Sequence, residues 1–376
     1  MYGKIDATAR ASTVGTSGAT STADLTKYSV DSAGLSGSRF GFKGSEDLGG
    51  GLKASFQVEN GFNVDSGAAA QGGLLFGRQA YVSLGGGFGS ISVGRQYGTY
   101  DNALGSLDIQ GYSTNSAMGY AFAGTLPSAT ATSGAHADAF DGTGRVNNAI
   151  IYTTPSISGF SASLMYAPGE NNVAATAATA TALAVSAKGA TAYTGFMASY
   201  AAGPLMVMGA YEQQGTQATD ATGPTLSLVG PTGTCAATQT LTGSICSTPG
   251  KVAAGSATTS GGILGVTYDL TAVKLSGTIG NGKTTAKSDF GYAIGAAVPM
   301  GAAVIQVGWA SETMSADNKV DGTADAFGTT VVYTLSKRTN VYGSFIRSNL
   351  TPTAATVAAQ TKTTIATYGV GVRHDF

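Results

Sequence analysis

The sequence predicts an all-β protein, a 16-stranded antiparallel transmembrane β-barrel. Three observations support this fold class. Glycine fills 56 of the 376 positions, about twice its ordinary usage. Charged residues make up only 11% of the chain and hydrophobic residues 43%, which excludes a charge-covered soluble helical protein. Apolar residues also alternate with small or polar ones in segment after segment, the pattern of strands with one face toward lipid and one toward water.

The N-terminal strands show this alternation clearly. In segment 52–61, Leu52, Phe56 and Val58 alternate with polar residues such as Lys53 and Glu59. Successive side chains of a strand point to opposite faces, so this strand has one apolar and one polar face. Short turns at 47–51 and 85–87 separate neighbouring strands. We predict the first strands at 2–10, 36–46, 52–61, 74–84 and 88–97.

Two uncharged stretches, 189–211 and 290–311, are long enough to cross a bilayer as helices. However, Gly203-Pro204 and Pro299-Met300-Gly301 interrupt them near their centres, and their flanks alternate with period two. Each stretch is therefore predicted to form two strands joined by a tight turn. The strands predicted for this part of the chain are 146–154, 160–168, 191–201, 205–214, 261–270, 273–281, 288–298 and 302–312.

The predicted C-terminal strands are 326–336, 340–349 and 364–376, and they bring the number of predicted strands to sixteen, an even number. In the last strand Tyr368 and Phe376 share a face with Val370 and Val372, and eight residues of tilted strand separate the two rings by about 20 Å. Aromatic girdles on both sides of an apolar band need a spacing of this order. Short turns at one end and long loops at the other complete the pattern of a closed barrel, which satisfies every backbone hydrogen bond in lipid.

Several segments resemble the general-diffusion porins of Gram-negative bacteria, specifically the beta-proteobacterial family of trimeric outer-membrane porins. They run from one end of the chain to the other, whereas the loops diverge, above all at 212–262. The matching segments are YGKID at 2–6, GSRFGFKGSEDLGGGLKASFQVENGF at 37–62, LLFGRQAYVSL at 74–84, FGSISVGRQY at 88–97, RVNNAIIYTTPSISGFSASLMY at 145–166, LSKRTNVYGSF at 335–345 and YGVGVRHDF at 368–376.

The resemblance implies a single porin barrel over residues 1–376, an integral protein of the cell outer membrane with short periplasmic turns and long extracellular loops. It implies a homotrimer, contact with outer-membrane lipid and lipopolysaccharide, and recognition of the terminal Phe376 by the barrel assembly machinery. The third outer loop, 98–144, is expected to fold into the lumen as a constriction loop. Residues 213–260 are expected to form a long variable extracellular loop.

The resemblance also places basic residues on one wall of the pore constriction, at Arg39, Arg78 and Arg145. Alternation supports Arg39 and Arg145, because their apolar neighbours lie on the opposite face. It supports Arg78 less clearly, since alternation puts Arg78 on the apolar face of its strand. Arg95 shares a face with Ile91 and Val93 and stays outside the predicted set, because only a β-bulge would turn it toward the lumen.

Acidic residues are expected to face the basic wall across the lumen. The candidates are Glu59 and, in the third loop, Asp101 and Asp108. The loop also carries Asp138 and Asp141, which are more simply explained as ordinary solvated charges. Opposite charges across a narrow aqueous neck orient dipolar solutes and favour ions of one sign.

The two cysteines, Cys235 and Cys246, are separated by ten intervening residues in the long variable loop. They are too few for a disulfide scaffold and lack the companions of a zinc site. Because the loop faces an oxidising exterior, we expect a disulfide between them, with two free thiols as the alternative.

Enzyme functions are not supported. Of the two histidines, His136 lies in a Ser/Ala-rich loop and His374 on the lipid-side face of the last strand, where nothing places the serine and the acid of a hydrolase triad beside it. The glycines at 85–89 precede a strand instead of a phosphate-binding helix. No metal site and no cofactor are expected. The net charge of −1 gives no reason to expect nucleic acid as a partner.

The sequence therefore predicts a passive, water-filled diffusion channel for small hydrophilic solutes and ions, with a preference for anions. A more solute-selective porin, with its specificity in the third loop, is the alternative within transport. A surface adhesin or structural β-protein is the alternative from a different class.

Overall fold

A computed structural model describes residues 1–18, 24–111, 113–122, 144–169, 192–217, 225–228, 240–242, 245–248, 256–284, 287–316, 319–352 and 361–376. The chain divides into two compact units, one made of Met1–Ala167, Thr194–Gln213 and Thr259–Phe376, the other of Pro168–Tyr193 and Gln214–Thr258. The second unit contains a small antiparallel sheet. Its strands are β11 (Thr225–Leu228), β12 (Thr240–Thr242) and β13 (Ile245–Thr248).

The large sheet is built from seventeen strands. They are β1 (Tyr2–Gly18), β2 (Leu25–Ser32), β3 (Arg39–Gly49), β4 (Leu52–Gly61), β5 (Gln79–Gly86), β6 (Gly89–Tyr97), β7 (Arg145–Thr153), β8 (Phe160–Ala167), β9 (Tyr193–Ala202), β10 (Leu205–Gln217), β14 (Ser256–Asp269), β15 (Lys274–Lys283), β16 (Lys287–Met300), β17 (Ala303–Ala316), β18 (Lys319–Thr334), β19 (Thr339–Pro352) and β20 (Thr361–Asp375).

The sheet closes because the two ends of the chain meet. β1 pairs with β20 from Lys4 to Gly18, and Gly3 and Phe376 exchange two backbone hydrogen bonds of 2.9 Å. On its other side β1 pairs first with β3 and then with β2, so these two strands share one position. The closed antiparallel barrel therefore has 16 strand positions (17 − 1), which confirms the predicted fold class.

The break between β2 and β3 was not predicted, and a buried carboxylate explains it. Asp6 Oδ2 accepts hydrogen bonds of 2.9 Å from the backbone N–H groups of Leu35 and Ser36, and Oδ1 accepts one of 3.2 Å from Gly34. The Tyr342 hydroxyl donates to the same carboxylate at 2.5 Å. These bonds satisfy the backbone where the strand is interrupted. They also hold Ala33 in the left-handed region, at φ = 73°.

The outward face of the barrel is apolar and carries aromatic rings at two levels. Its exposed aromatic residues near the short turns include Tyr152, Phe160, Tyr200, Tyr268, Tyr333 and Phe376, and those nearer the long loops include Tyr166, Phe196, Tyr211, Phe290, Phe327 and Tyr368. A face of this kind matches the apolar band and girdles of a barrel in lipid. The two uncharged stretches form the hairpins β9–β10 and β16–β17, as predicted.

The hydrophobic core lies inside the barrel, between its inner wall and the segment that follows β6. This segment forms α1 (Thr99–Leu107) and α2 (Ala117–Phe122). Tyr100, Leu104 and Leu107 of α1 are at most 1% exposed, and they pack with small wall residues of the later strands. Among the described residues, neither helix is long and apolar enough to cross a membrane.

Candidate functional site

Three arginines converge where β3, β5 and β7 begin. Arg78 Nε donates a hydrogen bond of 2.7 Å to Glu59 Oε1, and Arg39 Nε lies 3.8 Å from Glu59 Oε2. Arg145 joins them through Tyr97, whose hydroxyl accepts hydrogen bonds from Arg78 Nη2 at 2.5 Å and from Arg145 Nη2 at 2.8 Å. The structure thus brings together all three predicted arginines. We call Arg39, Glu59, Arg78, Tyr97 and Arg145 the arginine cluster.

Tyr97 was not identified from the sequence, because strict alternation with Ile91 and Val93 places it on the lipid face. The structure has a register shift after Gly94, which is the signature of a β-bulge. Gly94 has φ = 135°, and a Cβ there would collide with the carbonyl oxygen of Ala80, so this bulge requires glycine. The Arg145 guanidinium then stacks on the Tyr97 ring, with Arg145 Cζ 4.5 Å from the ring centroid.

Glu59 lies among the arginines and not across the lumen from them, which corrects the expectation that it opposes the basic wall. The register is the reason. β3 pairs with β4 so that Arg39 lies opposite Gly61, and β4 pairs Glu59 with Gln79, next to Arg78. Glu59 is 4% exposed. Its carboxylate therefore neutralises part of the positive charge and fixes the two arginines that contact it.

The position of Arg78 explains why alternation was misleading for it. β5 begins at Gln79, so Arg78 belongs to the preceding connection and its side chain is not bound by the alternation of the strand. Arg95 is held away from the cluster's carboxylate. Its Nε donates a hydrogen bond of 2.8 Å to the Gly77 carbonyl, and its Nη1 donates to Asn147.

Both predicted loop aspartates are buried and hydrogen-bonded within the loop. Asp101 Oδ2 accepts a 2.7 Å hydrogen bond from the N–H of Gly144, so it ties the two ends of segment 98–144 together. Asp108 Oδ1 accepts one of 2.9 Å from the N–H of Gln110, and its Oδ2 accepts one from Ser116. Asp138 and Asp141 lie outside the described residues, as do Cys235 and the side chain of Cys246.

The first helix of the loop is attached to the wall at its N-terminus. Glu212 of β10 is fully buried and accepts a 3.0 Å hydrogen bond from the N–H of Tyr100. A carboxylate at this end satisfies an unpaired helix donor and interacts favourably with the helix dipole. In α2, burial raises the pKa of the Tyr120 hydroxyl above its ordinary value, so this phenol stays neutral.

Glycines on the inner wall make room for the side chains of the loop. Gly280 and Gly291 are paired across β15 and β16, and a Cβ on either would lie 2.8 Å from the ring of Phe122. A Cβ on Gly265 would lie 2.8 Å from Leu107 in the same way. We call Gly280 and Gly291 the Phe122 seat. Only glycine lets the loop approach the sheet this closely.

The far part of the loop is fixed to the N-terminal strands. Arg10 of β1 donates through Nη2 to the Thr114 hydroxyl. Asn115 Nδ2 donates a 2.8 Å hydrogen bond to the Gly34 carbonyl, and Thr114 Oγ1 donates one of 2.9 Å to the Ala33 carbonyl. The break between β2 and β3 thus supplies the backbone acceptors that hold the loop.

The electrostatics of the arginine cluster are positive. Three guanidinium groups and one carboxylate give a formal charge of +2 (3 − 1). The charged residues in the described part of the loop are Asp101 and Asp108, and both are at most 9% exposed. Within the arginine cluster, positive side chains therefore outnumber negative ones. Charge at a low-dielectric neck acts strongly on ions because the walls focus the field.

Comparisons with known proteins agree with this architecture. The sequence profile of the Gram-negative porin family matches residues 1–351. An outer membrane porin protein of Bordetella pertussis is 33% identical over 353 residues, covering 90% of this chain and 82% of the relative. Outer membrane porin protein 32 of Delftia acidovorans is 28% identical over 371 residues, covering 93% and 88%.

Solved structures show the same fold. The anion-selective porin from Comamonas acidovorans superposes with a TM-score of 0.68 at 24% identity, covering 100% of this chain and 98% of the other. OmpT of Vibrio cholerae, in a trimer form, gives a TM-score of 0.59 at 16% identity, covering 100% and 99%.

Proposed function

Because the chain belongs to the Gram-negative porin family, we propose that it lets small hydrophilic solutes and ions diffuse passively across the outer membrane, with a preference for anions. The chain is an outer-membrane porin, and porins are passive channels, not enzymes. The preference for anions and the class of solute are the steps that go beyond family membership.

The arginine cluster is the observation that carries the proposed anion preference. Its formal charge of +2 lies on one wall of an aqueous lumen, where fixed charges select ions by sign. The net charge of the whole chain is −1, but exposed charges elsewhere fade over about 8 Å at physiological salt. The description of the Comamonas acidovorans protein as anion-selective supports the same direction.

Segment 98–144 is proposed to act as the constriction loop. Its described residues pack on the inner wall through the Phe122 seat and through Glu212. They also contact Arg10 of β1, the strand that closes the barrel against β20. A loop held in this way narrows the lumen at the level of the arginine cluster, because its two ends, Gly98 and Gly144, adjoin Tyr97 and Arg145.

The protein is proposed to act as a homotrimer in contact with outer-membrane lipid and lipopolysaccharide. The trimer form of the Vibrio cholerae neighbour supports this assembly. So do Leu74 and Leu75, which are 48% and 66% exposed in the connection between β4 and β5. Phe376 is proposed as the signal read by the barrel assembly machinery, and its two hydrogen bonds to Gly3 also close the barrel.

Reversal potentials in planar bilayers with asymmetric KCl test the proposed preference. We expect the wild-type channel to prefer chloride, most clearly at low ionic strength. The double variant Arg39→Gln and Arg145→Gln lowers the formal charge of the cluster from +2 to 0 (2 − 2) and should abolish most of the preference. Arg338→Gln is the matched control, because it removes an exposed arginine from the turn between β18 and β19.

Cation preference of the wild type would refute the proposal, as would an unchanged reversal potential in the double variant. Saturation of the current by one solute at low concentration would instead favour a solute-selective porin. The folded barrel should persist in both variants, since changes in the lumen tune selectivity more than stability. Heat-dependent mobility in detergent gels checks this point.

A further inference from the structure

Arg373, in the last strand, directs its side chain into the lumen near the short-turn end of the barrel. Its neighbours in β20, Val372 and His374, are exposed on the outer face, and successive side chains of a strand alternate between the two faces. Among the residues that the structure describes, the Arg373 guanidinium forms no ion pair and no hydrogen bond, and its Nε is buried without a partner. A guanidinium in this state favours an anionic ligand.

The two carboxylates on neighbouring inward positions are engaged with other groups. Asp6 pairs with Arg373 across the ladder of β1 and β20, but the Tyr342 hydroxyl and three backbone N–H groups donate to its oxygens. Asp375 Oδ1 lies 3.7 Å from Lys4 Nζ. The two cations and the two carboxylates cancel in formal charge (2 − 2). An anion is therefore attracted by the unused donors of Arg373 and by the positive arginine cluster nearby.

Two further donors lie beside Arg373 on the inner wall. Asn340 of β19 is directly opposite Arg373. Its Oδ1 accepts a 3.0 Å hydrogen bond from the Thr334 hydroxyl, which leaves the amide N–H groups as donors. Lys4 of β1 lies on the diagonal from Arg373, and diagonal neighbours in an antiparallel ladder are about 7–8 Å apart. This spacing leaves room for one small oxyanion between the two cations.

Lys4 links this group to the arginine cluster. β1 pairs with β3 so that Lys4 lies directly opposite Arg39, and the charges of Arg39 and Arg373 both act on the Lys4 ammonium. Like charges that face each other across a sheet repel, and a bound anion relieves that repulsion. Arg39 begins β3 at the end away from its short turn, whereas Asn340 and Arg373 lie next to the turn between β18 and β19. The basic wall thus continues from the cluster toward the short-turn mouth.

We propose that Arg373, Lys4 and Asn340 form a second anion site in the lumen, on the short-turn side of the arginine cluster. Its ligand is a small oxyanion, a carboxylate or sulfate group, because the guanidinium fork matches two oxygens of one such group. Lys4 adds a second charge, and the Asn340 amide adds a neutral donor. The site rests on the proposed diffusion of anions and extends it, because several weak sites in series let an ion both enter and leave.

Block of the chloride current by sulfate in planar bilayers tests the site. Channels are inserted from one side of the bilayer, and sulfate is added to each side in turn. An anion site near one mouth is reached first from that side. Arg373→Gln should therefore raise the half-blocking concentration of sulfate about tenfold from the short-turn side, because it removes charge-assisted hydrogen bonds. Arg145→Gln should act mainly from the long-loop side, and the control Arg338→Gln, in an exposed turn, should act from neither.

Three results would overturn the proposal. One is the same half-blocking concentration in Arg373→Gln and Arg338→Gln. Another is an equal rise from both sides in Arg373→Gln, which is the effect of a general change in lumen charge. The third is full recovery of the block in Arg373→Lys, which restores the charge but not the paired donors.

A second variant and a second measurement keep these outcomes separate. Heat-dependent mobility in detergent gels checks that each variant folds. Lys4→Gln should raise the half-blocking concentration from the short-turn side by less than Arg373→Gln does, and it tests the site without any change at Arg373. The reversal potential of the wild type reads the anion preference by itself, so a cation-preferring channel refutes the proposed function whatever the sulfate block shows.

Discussion

Replacing Phe122 by alanine should detach the end of α2 from the barrel wall. The ring is 3% exposed and occupies the Phe122 seat, where neither Gly280 nor Gly291 can supply a side chain to refill the space. Truncation of a buried phenylalanine costs about 3–5 kcal/mol. At the lower value, the fraction of time that the loop spends undocked rises about a hundredfold.

Hydrogen–deuterium exchange in detergent measures this change directly. Local opening controls amide exchange, so the amides of residues 113–122 should exchange about a hundredfold faster in Phe122→Ala than in the wild type. The strand amides of β15 and β16 should not change, because their ladder does not depend on the ring. Single-channel recordings should show added current noise, since the loop is proposed to narrow the lumen.

Phe196→Ala is the matched control, because it removes the same ring from the lipid-facing surface, where Phe196 is 48% exposed. It should leave exchange in α1 and α2 as it is in the wild type. If Phe122→Ala changes exchange of residues 113–122 by less than about threefold, the glycine seat does not hold the loop and the reasoning from its geometry fails.

Three other changes have defined outcomes. Gly34→Ala places a Cβ against Thr8 and Tyr342, so overpacking of about 1–3 kcal/mol should lower the temperature at which the folded band is lost in detergent gels. Changing Leu74 and Leu75 together to serine should lower the temperature of trimer dissociation, because it makes the exposed β4–β5 connection polar. Denatured, unreduced protein should show no titratable thiol, because Cys235 and Cys246 are predicted to be bridged.

Each of these outcomes has a control and a contrary result. Gly343→Ala is the control for Gly34→Ala, because a Cβ at Gly343 meets nothing within 4 Å, and equal stability of the two variants would contradict the close packing at Gly34. Leu48→Ser removes an exposed leucine at the short-turn end, and an equal loss of trimer there would show that the effect is not specific to the β4–β5 connection. Two titratable thiols in freshly extracted protein would reject the bridge.

The barrel was predictable because its signal is local. Leu52, Phe56 and Val58 alternate with polar residues whatever the rest of the chain does, and lipid imposes the same alternation on each strand. Strand β4 begins and ends where the pattern predicts. Strand β2 was not predicted, because the break at 33–38 that separates it from β3 is stabilised by Asp6, which is distant in sequence.

The candidate site was only partly predictable, because its contacts also depend on residues that are distant in sequence. The residue types were identified, but the partners of Glu59 depend on the register between β3, β4 and β5, and one step of register would carry its side chain elsewhere. Tyr97 enters the cluster only through the bulge at Gly94. Asp101 and Asp108 were expected to face the basic wall, yet both accept hydrogen bonds within their own loop and so help to fold it.

The supports of the inner loop come from parts of the chain that are made at very different times. Arg10 and Gly34 lie in the first strands, whereas the Phe122 seat lies on β15 and β16. A nascent barrel that lacks its later strands has no surface on which α2 can dock. Contacts this distant in sequence form late, after the chain entropy between them has been lost. The loop proposed to set the selectivity can thus dock fully only when the barrel wall is complete, so an unfinished barrel is also an unselective one.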